Sequence, residues 1–217
     1  MVIVSRVICL AIGYVFGLFQ TGYIYGKAHN IDIRDHGSGN AGTTNTLRTL
    51  GWKAGAVTFI GDLAKAILAI LAAWLIFRNQ YPDSVKSLEM YAGLGAVLGH
   101  NYPCYLHFKG GKGIACTSGF ILAVFPLTAP ICLVLFILAV AITRYVSLGS
   151  ILVAVSFYIQ LVVFGQLGIF RVNPECLSEI YAVGAVFSLL ALWKHRANIK
   201  RLLSGTENKF GMSKKEN

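Results

Sequence analysis

Charge is scarce in this chain, and acidic charge scarcest of all. Only 13% of its 217 residues are charged, and nine acids face nineteen lysines and arginines. Soluble domains carry about 25% charged residues. With 56% hydrophobic residues and a mean hydropathy of +0.65, the chain has too much apolar surface to hide from water as a globule. The five cysteines, Cys9, Cys104, Cys116, Cys132 and Cys176, form no CxxC pair and lie mostly in apolar runs, which excludes a disulfide framework and a zinc site. His29, His36 and His107 have no ligand spacing with carboxylates or cysteines, so no metal is expected. GxxxxGK[ST] is missing, because Lys112 is followed by Gly113. The basic residues flank apolar runs and are seldom interleaved with aromatics, which argues against a nucleic-acid partner. The first apolar run has one flanking base, Arg6, and no small-x-small cleavage site, and reads as a retained helix.

What is present is a series of apolar runs. A spanning helix needs roughly 20 mostly apolar residues. Runs at 2–25, 54–77, 88–105, 114–126, 127–142, 148–170 and 176–193 predict an all-α integral membrane protein with seven transmembrane helices in a single domain, 1–217. Pro126 and Pro130 mark either a tight turn between the fourth and fifth runs or kinks in one segment. Merging or dropping a weak pair leaves five helices and the same orientation. Lys27, Arg34, Arg48, Lys53, Lys109, Lys112, Arg144, Lys194, Arg196, Lys200, Arg201, Lys209, Lys214 and Lys215 fall on one side. Arg6, Arg78, Lys86 and Arg171 fall on the other. The positive-inside rule therefore puts the N-terminus outside and the C-terminus in the cytoplasm. The GxxxG pairs Gly13 with Gly17, Gly22 with Gly26, and Gly95 with Gly99 predict close helix packing.

Three polar clusters share the cytoplasmic side. The first, 37–51, holds four glycines, seven Ser, Thr or Asn side chains, one arginine and no acid. Glycines let backbone N–H groups approach an anion, and small hydroxyls add donors. The second, 99–113, places Lys112 among Gly110, Gly111 and Gly113 just before a helix, where free N–H groups and an ammonium converge. The third, 195–207, extends the last helix into the cytoplasm, with His195 and Asn198 on one face. Arg196 and Lys200 suit lipid headgroups. Ser38, Asn40, Thr44, Asn45, Arg48, Lys112 and Asn198 make a donor-rich set, with Glu207 as almost its only carboxylate. Such a set suits anionic substrates and suits paired-carboxylate chemistry poorly. Asp62 and Lys65, three residues apart in the second run, are expected to neutralise each other, and Arg144 to snorkel. A transporter would place key residues at the midplane of an internal repeat, and neither is visible. A lipid-binding scaffold would explain the basic tail but not residues 37–51.

In order along the chain, Gly37-Ser38-Gly39-Asn40-x-Gly42-x-Thr44-Asn45-x-x-Arg48-x-x-Gly51, Gly99-His100-x-x-Pro103 leading to Phe108-x-Gly110-Gly111-Lys112-Gly113, and His195-Arg196-x-Asn198-Ile199-x-Arg201-Leu202-x-x-Gly205-x-Glu207 together resemble the bacterial PlsY family. These are acyl-phosphate:glycerol-3-phosphate acyltransferases of the inner membrane. The resemblance covers nearly the whole chain, although Cys104-Tyr105-Leu106-His107 is less characteristic of the family, where an aliphatic and then an aromatic residue are more usual at the first two positions. It implies a multi-pass inner-membrane enzyme of seven helices, embedded in membrane lipid. The donor would be acyl phosphate, the acceptor glycerol 3-phosphate, and the product 1-acyl-glycerol 3-phosphate, with no metal or nucleotide cofactor. A separate acyl-carrier-protein:phosphate acyltransferase would supply the donor. No histidine has an aspartate five positions later, so the HxxxxD pair of acyl-CoA-dependent enzymes is absent. Ser38, Arg48 and Lys112 are then expected at the phosphates, with Gly37, Gly39, Asn40, Thr44, Asn45, Gly110, Gly111 and Gly113 around them. His195, Asn198, Arg201 and Glu207 would help place the acceptor. His100 is expected to be the general base or to orient a substrate, and a substrate phosphate oxygen is the other proton acceptor.

Overall fold

The computed structural model describes residues 2–211, and the basic residues Lys214 and Lys215 used in the orientation argument lie outside them. The fold is all helical, with no strand among the described residues: α1 (Val2–Gly17), α2 (Thr21–Ala28), α3 (Thr43–Leu50), α4 (Trp52–Phe77), α5 (Val85–Asn101), α6 (Ile114–Val124), α7 (Ala129–Thr143), α8 (Val146–Gln166), α9 (Leu177–Lys194) and α10 (Arg196–Leu203). Among the described residues, five stretches are long and apolar enough to cross a membrane: Ile3–Ala28, Trp52–Phe77, Pro126–Thr143, Val146–Gln166 and Pro174–Lys194. The chain is a multi-pass integral membrane protein. Among the predicted seven, α6 has only 11 residues and α5 has 17, including Lys86 and Glu89.

Glycine periodicity decides the central contact. A Cβ at Gly13 would overlap the Ala92 carbonyl and one at Gly17 the Ala96 carbonyl, while Gly95 and Gly99 press in the same way on Leu10 and Tyr14. The first and third GxxxG pairs thus bring α1 and α5 together backbone to backbone. Gly22 lies against Ala41 and Thr46, and Gly26 against Ile33, so the second pair seats α2 on the first polar cluster. Phe120 of α6 stacks on Phe187 of α9, ring centroids 4.3 Å apart, and meets Phe157 of α8 edge-on at 5.6 Å.

The expected first helix, 2–25, is broken at 18–20. Its freed carbonyls find side-chain donors: Leu18 O accepts from the Tyr105 hydroxyl at 2.8 Å and Phe19 O from Lys65 Nζ at 2.7 Å. Gln20, buried, donates to Gly17, Gly99 and His100 carbonyls at 3.1–3.2 Å. Without such partners the break would cost several kcal/mol per exposed group in hydrocarbon. The third run ends at Asn101 instead of 105, two residues before Pro103, since the residue before proline disfavours the α region. Pro126 turns the chain, so α6 and α7 are separate helices, and Pro130 sits in the first turn of α7 where no N–H is needed. The third cluster is not a simple extension of the last helix. The chain bends at His195 (φ −98°, ψ 5°) before α10.

Candidate active site

Each polar cluster is shaped by its own short-range hydrogen bonds. In the first, Asn45 is buried and its amide is fully used. Its Oδ1 accepts from Ser38 N at 2.7 Å, and its Nδ2 donates to Ile33 O at 2.8 Å and His36 O at 3.0 Å. Gly37 (φ +61°) approaches so closely that a Cβ would overlap Asn45 Oδ1. Asn40 Oδ1 accepts from Gly42 N at 3.1 Å, in the turn just before α3. Asp32 braces the loop from below by gripping Arg34 at 2.8 and 3.0 Å, and that guanidinium holds its carboxyl well below the usual range. The result exposes Ser38 and puts Thr44 and Arg48, four residues apart, on one face of α3.

In the second cluster, Gly111 N donates to His100 O at 3.0 Å and Gly110 N to Asn101 O at 3.3 Å. A Cβ at Gly111 would overlap His100 Nε2, and one at Gly110 would overlap His100 O. Gly113 (φ +82°) then opens α6 with Lys112 beside it. In the third cluster Glu207 is the organiser. It accepts from Asn198 Nδ2 at 2.9 Å and from Arg201 Nε at 2.8 Å. Asn198 Oδ1, freed by that arrangement, accepts from Lys112 Nζ and ties the second cluster to the third.

The clusters meet around a cavity of about 170 Å³. Ser38, Asn40, Thr44, Asn45 and Arg48 border it from the first cluster. His100, Lys112 and Gly113 border it from the second, and His195, Asn198, Arg201 and Glu207 from the third. Gly37, Gly39, Gly110 and Gly111 do not line it; they lie behind the lining, where they let the loops pack. Sequence reasoning passed over Thr43, whose hydroxyl is buried without a partner, and Ser147 and Ser150 near the start of α8. The serine pair, three residues apart at a helix end, was the available signal. Asp62 was read only as the partner of Lys65, yet it borders the cavity too. The lining also includes apolar side chains, Phe59 of α4, Phe136 of α7, Val146 of α8 and Ile114 of α6.

Charge within the cavity is unevenly matched. Glu207 pairs with Arg201, and Asp62 with Lys65 at 2.8 Å. Arg48 and Lys112 remain without an acidic partner in contact among the described residues. Burial pulls the Lys112 ammonium down to about 8, with Arg201, Lys194 and Arg48 adding repulsion and Glu207 opposing the shift. Burial, followed by the Lys112 charge, lowers His195 to about 4, so its imidazole is neutral. Its Nδ1 lies 2.8 Å from the Ala191 carbonyl, which can only accept. The proton is therefore on Nδ1, and Nε2 carries the free lone pair. Asp62, His100 and Cys116 cluster within 4.8 Å, but the Lys65 ammonium already bridges the carboxylate and the imidazole with the positive charge that a metal would bring. The lining thus combines donors and unpaired positive charge suited to phosphate-like anions with apolar side chains.

Residues 7–205 match the family model described as glycerol-3-phosphate acyltransferase. A glycerol-3-phosphate acyltransferase of Clostridioides difficile is 42% identical, covering 99% of this chain and 100% of that protein. One of Alkaliphilus metalliredigens is 43% identical over 91% of this chain and 92% of its own. The chain superposes with a TM-score of 0.82, at 34% identity, on a crystal structure of PlsY (YgiH), an integral membrane glycerol 3-phosphate acyltransferase, in its glycerol 3-phosphate form, covering 95% of this chain and 96% of that one. A lysophosphatidic acid form matches with a TM-score of 0.80. Motifs, membrane fold and relatives agree: this chain belongs to the glycerol-3-phosphate acyltransferase family, in its PlsY-type membrane branch.

Proposed function

We propose that the protein transfers an acyl group from acyl phosphate to glycerol 3-phosphate, yielding 1-acyl-glycerol 3-phosphate and inorganic phosphate. The observation that carries this reading is one cavity with two chemistries. Arg48 and Lys112, unmatched by acids among the described residues, share the lining with Ser38, Thr44 and Asn198 and with the apolar Phe59, Phe136, Ile114 and Val146. A compact phosphate head carried directly on a long acyl chain fits such a lining. Acyl phosphate is a mixed anhydride with a good leaving group, so the chain's task is to position two anions and stabilise the developing oxyanion. Ser38, Arg48 and Lys112 hold phosphate, and the surrounding glycine turns set their approach. His195 Nε2 accepts a hydrogen bond from the non-reacting hydroxyl of glycerol 3-phosphate, and Asn198 and Arg201, held by Glu207, complete the acceptor's seat. The hydroxyl oxygen forms the new ester bond, the bond from carbonyl carbon to phosphate oxygen breaks, and the proton passes to the departing phosphate.

In the same reading the helices make seven crossings of the bacterial inner membrane, with the N-terminus outside and the three clusters on the cytoplasmic side. A separate acyl-carrier-protein:phosphate acyltransferase provides the donor, and no metal or nucleotide takes part. The test is direct. Purified protein receives long-chain acyl phosphate, acyl-CoA or acyl carrier protein separately, with glycerol 3-phosphate and a chelator. Lysophosphatidic acid should appear with acyl phosphate alone. Product from either thioester but not from acyl phosphate would overturn the donor assignment.

A further inference from the structure

The buried cluster in the cavity wall has a definite hydrogen-bond logic. Lys65 Nζ lies 2.8 Å from Asp62 Oδ1, 2.7 Å from Phe19 O and 2.9 Å from His100 Nδ1. An ammonium has three protons to donate and no lone pair, so these three acceptors use it completely. Asp62 Oδ1 also accepts from the Thr21 hydroxyl at 3.3 Å and lies 3.5 Å from His100 Nδ1, too far to compete with the lysine. Asp62, Lys65 and His100 are 1%, 4% and 3% exposed, where a charge persists only when paired. Because Lys65 donates to Nδ1, the neutral imidazole carries its proton on Nε2. That edge of the ring is packed against Gly111. His100 therefore has no free lone pair with which to take a proton. Its carbonyl receives Gly111 N at 3.0 Å, so both ends of the residue grip the turn that precedes Lys112.

We propose that Asp62, Lys65 and His100 are positioning residues, a buried unit that fixes the turn at 110–113 through Gly111, and so aims Lys112 at phosphate, while pinning the break between α1 and α2. His100 is then not the general base. The proposal rests on the phosphate-binding reading of the cavity but not on which acyl donor is used.

The test combines a binding readout with a double-mutant cycle. Inorganic phosphate should raise the melting temperature of the detergent-solubilised wild-type protein. His100→Ala should shrink that shift and raise KM for glycerol 3-phosphate by at least about fivefold, with the pH profile of kcat unchanged in shape. Gly111→Ala alone should also lose activity, because its methyl group collides with the ring. In the double variant the methyl group occupies space that the ring vacated. Its loss should be smaller than the product of the single losses by at least about fivefold, a coupling of the size that touching residues show. Multiplicative losses would overturn the proposal. So would a fall in kcat with unchanged KM and phosphate response, together with a missing pH limb. Should His100→Ala fail to accumulate in membranes, Asp62→Asn combined with Lys65→Met removes both buried charges at once. The same KM increase is expected there, and a loss confined to kcat would again refute the positioning role. Absence of acyl transfer by the wild type would count against the enzymatic reading alone, since the phosphate-induced shift and its dependence on His100 are read without turnover.

Discussion

Replacing Lys112 by methionine isolates the charge that the cavity leaves unmatched. The two side chains are of similar length, and Met keeps the apolar contacts of the stem while removing the ammonium. Lys112 is partly buried, donates to Asn198 Oδ1 and shares the cavity with Arg48. A hydrogen bond to a charged group contributes about 1.5–3 kcal/mol. At about 1.4 kcal/mol per factor of ten, kcat/KM for glycerol 3-phosphate should fall roughly 10- to 150-fold. Folding should be little affected, because burial already disfavours the ammonium, as its depression to about 8 records. The assay is steady-state turnover of purified protein with acyl phosphate, alongside the melting temperature. Arg196→Ala provides the contrast: its guanidinium lies outside the cavity, over Trp193 with 4.6 Å to the ring centroid, and its loss should change kcat/KM by less than about threefold if exposed rim charges contribute little. Equal losses in the two variants would remove the distinction between a phosphate site and a basic collar. A Lys112→Met protein with full activity would refute the site assignment outright.

The same lysine predicts a pH dependence. Its free-site pKa lies at about 8, below the usual lysine value, so the ammonium is present below pH 8 and lost above it. Bound phosphate favours the charged form, so the contribution of Lys112 to affinity should be flat below pH 8. Above it, affinity should weaken by up to about tenfold per unit until the pKa of the bound state is passed. Phosphate monoesters lose their second proton with a pKa of about 6, so the substrate is almost fully ionised before pH 8 and does not cause this alkaline limb. KM measured from pH 6 to 10 tests it; a KM that falls with alkali would contradict the sign. The orientation is checked by single cysteines at Ser38, Lys109 and Ser204, exposed positions in the three clusters, in a cysteine-free background. An impermeant thiol reagent should not reach them in intact cells and should label the accessible ones after permeabilisation. Labelling from outside would separate the clusters from the cytoplasm.

Much of the molecule was legible in the chain before folding. The apolar runs and the glycine pairs Gly13/Gly17 and Gly95/Gly99 announced a membrane bundle, because hydrocarbon tolerates little but helices and close helix packing needs small residues. Arg48, Lys112, His195 and Asn198 stood out because polar residues of those types have little reason to gather at apolar helix ends. Their convergence was not legible. Sequence spacing within 37–51 gave Asn45 the same weight as Thr44, yet only the fold spends both ends of the Asn45 amide on Ser38, Ile33 and His36. The break after α1 was equally hidden. Residues 18–20 are apolar or neutral, and the donors that satisfy their carbonyls come from Tyr105 and Lys65, far along the chain. Local composition therefore determined what kind of protein this is and which residues are unusual. Tertiary structure decided which of them face the cavity and which support it, because that division rests on hydrogen bonds and charge pairs between segments up to about a hundred residues apart, which periodicity and propensity do not encode.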